Sequence, residues 1–213
     1  MNACFVWVDV NGNITSAWPC IEAAEELGLM GDVDNQVLEL VAKELHRSPT
    51  VSLAFNISGR TIDNPKWLIK AKELIGDPAV ASRAVVEITE TAVQHDLKRS
   101  ISFVSSLQEI GCRVALDDFG TGYTSFRQLR SLPIDIVKID GSFIRDIASS
   151  HDNRLFVKTL LRLIEGFGLT AVAEYVENGE IAKLLMDFGV PYFQGNYFSA
   201  AVNFRPWMDQ ESL

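Results

Sequence analysis

The chain has 213 residues, 47% of them hydrophobic and 22% charged, with a formal net charge of -9. This supplies one sizeable core and predicts a single domain over residues 1–213. The acidic balance argues against a groove for a nucleic-acid polymer, although a small anionic ligand is compatible if metal ions supply positive charge. No run approaches the roughly 18 to 20 apolar residues of a membrane span, so no membrane contact is expected. No signal peptide is legible, and Cys4, Cys20 and Cys112 form no CxxC pair. They read as core thiols of a soluble, cytoplasmic chain.

Residues 3–8 are apolar and β-branched and predict a first strand, followed by an Asn11-Gly12 turn. Residues 21–29 and 33–46 predict helices; Val33, Val37, Leu40, Val41 and Leu45 share one face of the second, with Asp32 as its N-cap. A second strand covers residues 51–55, a helix opens at Pro65 and runs to 75, and a third strand covers 84–88. A helix over 97–110 stops at Gly111, and residues 112–116 form the fourth strand. A short helix over 125–130 is closed by Pro133. Then come a fifth strand (135–139), an exposed turn (149–153), a helix (153–167) and a sixth strand (170–174). Asn178 caps a helix reaching 188, and residues 190–193 form a seventh strand before an irregular tail.

Strands alternating with helices imply parallel strands joined by crossover helices. No Gly-rich phosphate loop follows the first strand, which counts against a Rossmann fold. Seven such units predict an α/β fold of the TIM-like (β/α)8 type that lacks its first N-terminal strand.

Asp117 and Asp118 end an apolar strand, and a loop containing Gly120 and Gly122 follows at once. Successive strand residues face opposite ways, so both acids reach one pocket only if the chain turns there. Paired carboxylates suit hard cations such as Mg²⁺ or Mn²⁺; on this stretch alone, Asp118 as a helix cap is an equally good reading. The other strand ends tip the balance. Asn56 ends the second strand, Glu87 lies in the third, Lys138 with Asp140 beyond it in the fifth, Glu174 ends the sixth, and Gln194 follows the seventh. In a barrel these ends converge on one rim, where such enzymes work. Asn56, Glu87, Asp117 and Asp118 supply oxygen ligands for a two-metal site able to cleave a phosphodiester. Lys138 can neutralise a phosphate or help activate water, Glu174 is a further ligand or base, and Gln194 positions a ligand. Glu90 can hydrogen-bond the glycine loop. His46, His95 and His151 lack metal-ligand spacing and read as surface residues.

Six peptides in this order carry a resemblance: Asn56-Ile57-Ser58, Glu87-Ile88-Thr89-Glu90, Asp117 to Tyr123, Lys138-Ile139-Asp140, Ala173-Glu174-Tyr175-Val176-Glu177 and Gln194-Gly195. Over essentially its full length the chain resembles the EAL domain family of cyclic di-GMP phosphodiesterases. The resemblance implies a TIM-like barrel with one antiparallel strand, Mg²⁺ or Mn²⁺ at the rim, and hydrolysis of cyclic di-GMP to linear pGpG. It implies metal ligation by Asn56, Glu87, Asp117 and Asp118. Lys138 and Glu174 then serve the catalytic step, Glu90 the loop, and Gln194 and Asp140 the substrate. It further implies a possible homodimer through the segment after the aspartates, with Phe126 and Leu129 as candidates, and additional domains upstream in a longer parent. Three positions depart from the family. Asn2 stands where the family has a metal-ligating glutamate, Val6 where it has an arginine that contacts phosphate, and Tyr175 where it usually has glycine. These substitutions leave a second reading open: a receptor that binds the dinucleotide, or a protein partner, without turnover. A barrel glycosidase with paired carboxylates would not need Asn56 and Lys138 at the rim.

Overall fold

A computed structural model describes residues 6–8, 14–122 and 126–200. A six-stranded parallel sheet carries the fold. Its strands, all neighbours in sequence order, are β3 (Leu53–Asn56), β4 (Ala84–Thr89), β5 (Arg113–Phe119), β6 (Ile136–Ile139), β7 (Thr170–Ala173) and β8 (Tyr192–Phe193). Two short strands before it, β1 (Val6–Val8) and β2 (Ile14–Ser16), form a separate antiparallel pair. The first predicted strand is therefore corrected. Its described part, residues 6–8, belongs to this hairpin and not to the parallel sheet, and its partner β2 was not foreseen. Residues 3–5, the Asn11-Gly12 turn and the tail beyond 200 lie outside the described residues.

The longer helices are α1 (Trp18–Glu26), α2 (Met30–Arg47), α4 (Pro65–Ile75), α7 (Leu97–Ile110), α10 (His151–Gly166) and α11 (Gly179–Asp187). Short helices fill the connections: α3 (Gly59–Ile62), α5 (Pro78–Ala81), α6 (Glu90–His95), α8 (Phe126–Ser131) and α9 (Gly141–Ile144). α1 begins earlier than expected because Pro19 suits the first helical turn. α2 also begins early, at Met30, so Asp32 lies inside its first turn and is not the N-cap. The predicted turn at 149–153 is instead a helix start: Ser150 caps α10, its Oγ accepting from the Asn153 amide at 3.1 Å. Asn178 caps α11 as expected, accepting from the Ile181 amide at 2.9 Å.

The period-2 pattern of the strands sorts their side chains into two environments. Val86, Ile88, Val114, Leu116, Val137, Ile139, Ala171 and Ala173 face the helices and form the main core. The alternate positions face the concave side of the sheet. There Ala54, Val85, Ala115, Ile136 and Val172 make a small apolar layer. Two residues further along the same strands stand Asn56, Glu87, Asp117, Lys138 and Glu174. The sheet therefore stacks a polar layer on an apolar one, and the polar layer lies at the strands' C-terminal ends.

Trp67 is buried against Phe103, as a packing residue should be. Cys112 is buried but Cys20 is exposed, which corrects its reading as a core thiol; Cys4 lies outside the described residues. Leu129 is fully buried in the core, so it offers no face to a second subunit; of the Phe126 side chain nothing is described. His46, His95 and His151 are exposed, as expected. No helix among the described residues is long and apolar enough to cross a membrane.

Candidate active site at the strand ends

Lys138 is the centre of the polar layer. Its Nζ lies 3.0 Å from Glu87 Oε2, 3.0 Å from Asp117 Oδ1 and 2.8 Å from Glu174 Oε1. All four residues are buried. An ammonium has three N–H donors, and here three carboxylates surround it. Four charges taken from water together are tolerated only because each finds an opposite charge at contact distance. Asn56 extends the cluster, its Nδ2 donating to Glu87 Oε2 at 3.2 Å.

The charges do not cancel, and the ionisation behaviour follows. Burial alone would depress the Lys138 ammonium, but Glu87, Asp117 and Glu174 outweigh it and hold its pKa above the ordinary lysine value. Burial pushes Glu174 up to about 8; Lys138 opposes the rise, and the nearby Asp117 charge adds to it. Asp118 is also raised, chiefly by burial, then by the charges of Asp117 and Asp140, with Lys138 opposing. The site holds more carboxylate than one lysine can neutralise. Asp117, Asp118 and Glu174 can each place an oxygen within 4.8 Å of the others. That all-oxygen set fits a hard divalent cation.

The two aspartates share the pocket through a kink at Asp118 itself. The β5–β6 register shifts between Leu116 and Phe119, and Asp118 has φ 55°. A residue in this left-handed region swings its side chain back towards the face of its predecessor, as in a β-bulge. The expected turn therefore exists, two residues before the first glycine. Asp118's own amide donates to Asp117 Oδ1 at 3.0 Å, which fixes the pair.

Glu90 secures the following loop. Its Oε2 accepts from the Gly120 amide at 2.9 Å and the Gly122 amide at 3.1 Å, while Oε1 accepts from Gln94 Nε2 at 3.0 Å. Glu90 is buried at the start of α6, immediately after β4. Gly120 has φ 105°, and a Cβ there would approach the Phe143 ring to 2.7 Å, so only glycine suits that position.

Gln194 lines a cavity of about 390 Å³ together with Glu87 and Lys138. Asp140 spends one oxygen on capping α9, accepting from the Ser142 amide at 2.9 Å. Glu87, Asp117, Lys138 and Glu174 thus meet directly, with Asn56, Asp118 and Gln194 beside them, while Glu90 and Asp140 support the loops. Asn2 lies outside the described residues, and of the Val6 side chain nothing is described.

One supporting residue escaped the sequence reading. Asp34, buried in α2, accepts from the Ser58 amide at 3.0 Å, Ser58 Oγ at 2.6 Å and Thr61 Oγ1 at 2.5 Å. It ties α2 to the loop after Asn56. The signal was available: Asp34 sits on the same apolar stripe as Val37, Leu38, Val41 and Leu45, an odd place for a carboxylate without a partner.

The EAL domain family model matches residues 1–201. The chain belongs to the EAL domain family. It is 32% identical over 190 residues to cyclic di-GMP phosphodiesterase PdeF of Escherichia coli (strain K12), a match covering 87% of this chain and 25% of that protein. The chain thus spans about a quarter of that relative's length. Among solved structures, the PaMucR phosphodiesterase in complex with c-di-GMP superposes with a TM-score of 0.86 at 24% identity, covering 93% of this chain and 83% of that one. The EAL domain of Mycobacterium smegmatis DcpA gives 0.72 at 29% identity, covering 79% and 78%. These EAL domains and this chain share the fold, a curled parallel sheet.

Proposed function

We propose that this domain hydrolyses one phosphodiester of cyclic di-GMP to give linear pGpG. The carrying observation is the buried Lys138 cluster with Glu87, Asp117 and Glu174, beside Asp118 on a kinked strand end. The family membership and the printed activity of the PdeF relative support the substrate. Asn56, Glu87, Asp117 and Asp118 would hold two Mg²⁺ or Mn²⁺ ions, with Glu174 at their edge. When bound, such ions supply the positive charge and Lewis acidity that an anionic phosphodiester requires.

The chain's own residues do the rest. Lys138 donates to Glu87 and pairs at contact distance with Asp117 and Glu174, and so restrains the direction of their remaining oxygens. Glu174 would take a proton from the attacking water; its carboxyl, pushed up to about 8, is ionised for that task above this pH or once its proton is drawn off by bound cations. Water adds to phosphorus, the P–O3′ bond breaks, O3′ leaves as a hydroxyl after gaining a proton, and the 5′-phosphate stays on the product. Gln194 lines the floor beneath the dinucleotide, Asp140 contributes at its edge, and Glu90 keeps Asp118 in place.

Asn2 in place of an acidic ligand lowers the rate: losing even a supporting partner costs about 10- to 100-fold in metal affinity or activity. Asn2 and Val6 together favour the second reading, a receptor that binds without turnover. The domain acts as one barrel in the cytoplasm, within a longer protein with further domains upstream. Chromatography of cyclic di-GMP incubated with Mn²⁺ and the protein decides between the readings. Linear pGpG supports hydrolysis; intact ligand that nonetheless binds supports the receptor.

A further inference from the structure

We propose that Tyr175, backed by Arg145, is a stacking platform for a guanine base of the dinucleotide, an inference that rests on the phosphodiester reading above. Tyr175 follows Glu174 directly and has φ 53°. A bulky residue in the left-handed region is strained, and glycine avoids that strain. Such strain persists where the surroundings enforce it, and it clusters at ligand sites.

The surroundings of Tyr175 are specific. Its ring lies against Gly141 so closely that a Cβ there would come within 2.2 Å of Cδ2. The Arg145 guanidinium carbon stands 4.3 Å from the ring centroid. Gly141 opens α9 and Arg145 directly follows that helix, so both contacts come from one turn of chain. Tyr175 nevertheless remains 46% exposed. The ring is therefore braced by a helix start and a cation while nearly half of it stays open to solvent.

Position completes the argument. Asp140, the neighbour of Gly141, is tied to the strand end that carries Asp118, its amide donating to the Phe119 carbonyl at 3.4 Å. Glu174 borders Tyr175 on the other side. The exposed part of the ring thus stands at the edge of the acidic cluster. Purines stack on aromatic rings without regard to sequence, and the Arg145 guanidinium holds this ring by cation–π attraction. Tyr175 binds the base; Arg145 positions the ring.

The test is calorimetric titration of cyclic di-GMP in Ca²⁺, paired with thermal unfolding, for the wild type, Y175G, Y175F and R145A. Base–aromatic stacking predicts that Y175G weakens binding about 5- to 100-fold, while its melting temperature holds or rises because glycine relieves the strain. Y175F, which keeps the ring, restores the affinity lost in Y175G. R145A falls between the two. Wild-type affinity in Y175G would overturn the platform while leaving the phosphodiester reading intact. A melting temperature that drops in Y175G in step with affinity would also overturn it, since the ring would then serve only to pin α9. A wild type that binds no cyclic di-GMP would remove both.

Discussion

Glu90→Ala isolates the loop that presents Asp118. One buried carboxylate oxygen accepts two backbone amides, at 2.9 and 3.1 Å. Hydrogen bonds to a charged group are worth about 1.5–3 kcal/mol each, and an unsatisfied buried amide costs about 1–3 kcal/mol. Gly120 is half-buried and pays most of this, whereas Gly122 is exposed and can turn to water. The expected loss of stability is about 2–4 kcal/mol. Because the loop fixes the kinked strand end, metal affinity should fall about 10- to 100-fold. Glu90→Gln separates geometry from charge. Its amide oxygen can still accept both glycine amides, and Gln94 need only turn its own amide to face the new NH₂. That variant should lose about 1 kcal/mol and little metal affinity. Urea unfolding and Mn²⁺ titration of both variants provide the readout. Wild-type metal affinity in Glu90→Ala would refute the loop argument. Equal losses in the two variants would show that the carboxylate charge matters and the loop geometry does not.

Lys138→Met leaves three buried carboxylates without their cation and should cost about 3–5 kcal/mol in metal-free protein. Mg²⁺ should then raise its unfolding midpoint more than it raises that of the wild type, as differential scanning fluorimetry would show. Asp34→Ala strips the acceptor from Ser58 and Thr61 and should destabilise the domain by about 2–4 kcal/mol, with Asp34→Asn losing less, as measured by urea unfolding. Burial pushes the Cys112 thiol up to about 12. The folded state therefore holds that proton more tightly than the unfolded chain, whose thiol titrates near ~8.5. The contribution is complete below that pH and is lost as pH rises towards 12, at up to about 1.4 kcal/mol per unit. Between pH 9 and 11 the wild type should lose stability faster than Cys112→Ala; identical slopes would contradict this.

The meeting of these polar side chains at the strand ends was legible because a strand's period of two is rigid. An apolar strand that ends in Glu, Asp or Lys must aim that group at a rim, and the five inner polar positions from Asn56 to Glu174 followed this rule. The kink at Asp118 was not legible, since positive φ on an aspartate is a local response to the β5–β6 register shift and leaves no pattern of its own. Sequence suggested that the glycines made the turn; they shape the loop beyond it. The hairpin of β1 and β2 was missed because each strand has only three residues, too few for a period to show. Asp34 was overlooked for a different reason. Helix periodicity marks which face is buried, but a carboxylate on that face reads as an exception until its partners, Ser58 and Thr61, are brought in by tertiary packing. Tyr175 was visible as a substitution for glycine; only its backbone angle shows what that substitution costs.

The measurement that bears most directly on the central claim is calorimetric titration of cyclic di-GMP into the wild type and Asp117→Asn, each with Ca²⁺ and with EDTA. If the acid cluster at the strand ends holds the phosphodiester through divalent ions, the wild type binds in Ca²⁺ and loses at least about tenfold in affinity in EDTA. Asp117→Asn binds weakly in both. Binding that is equally tight in EDTA, or unchanged in Asp117→Asn, would contradict the account.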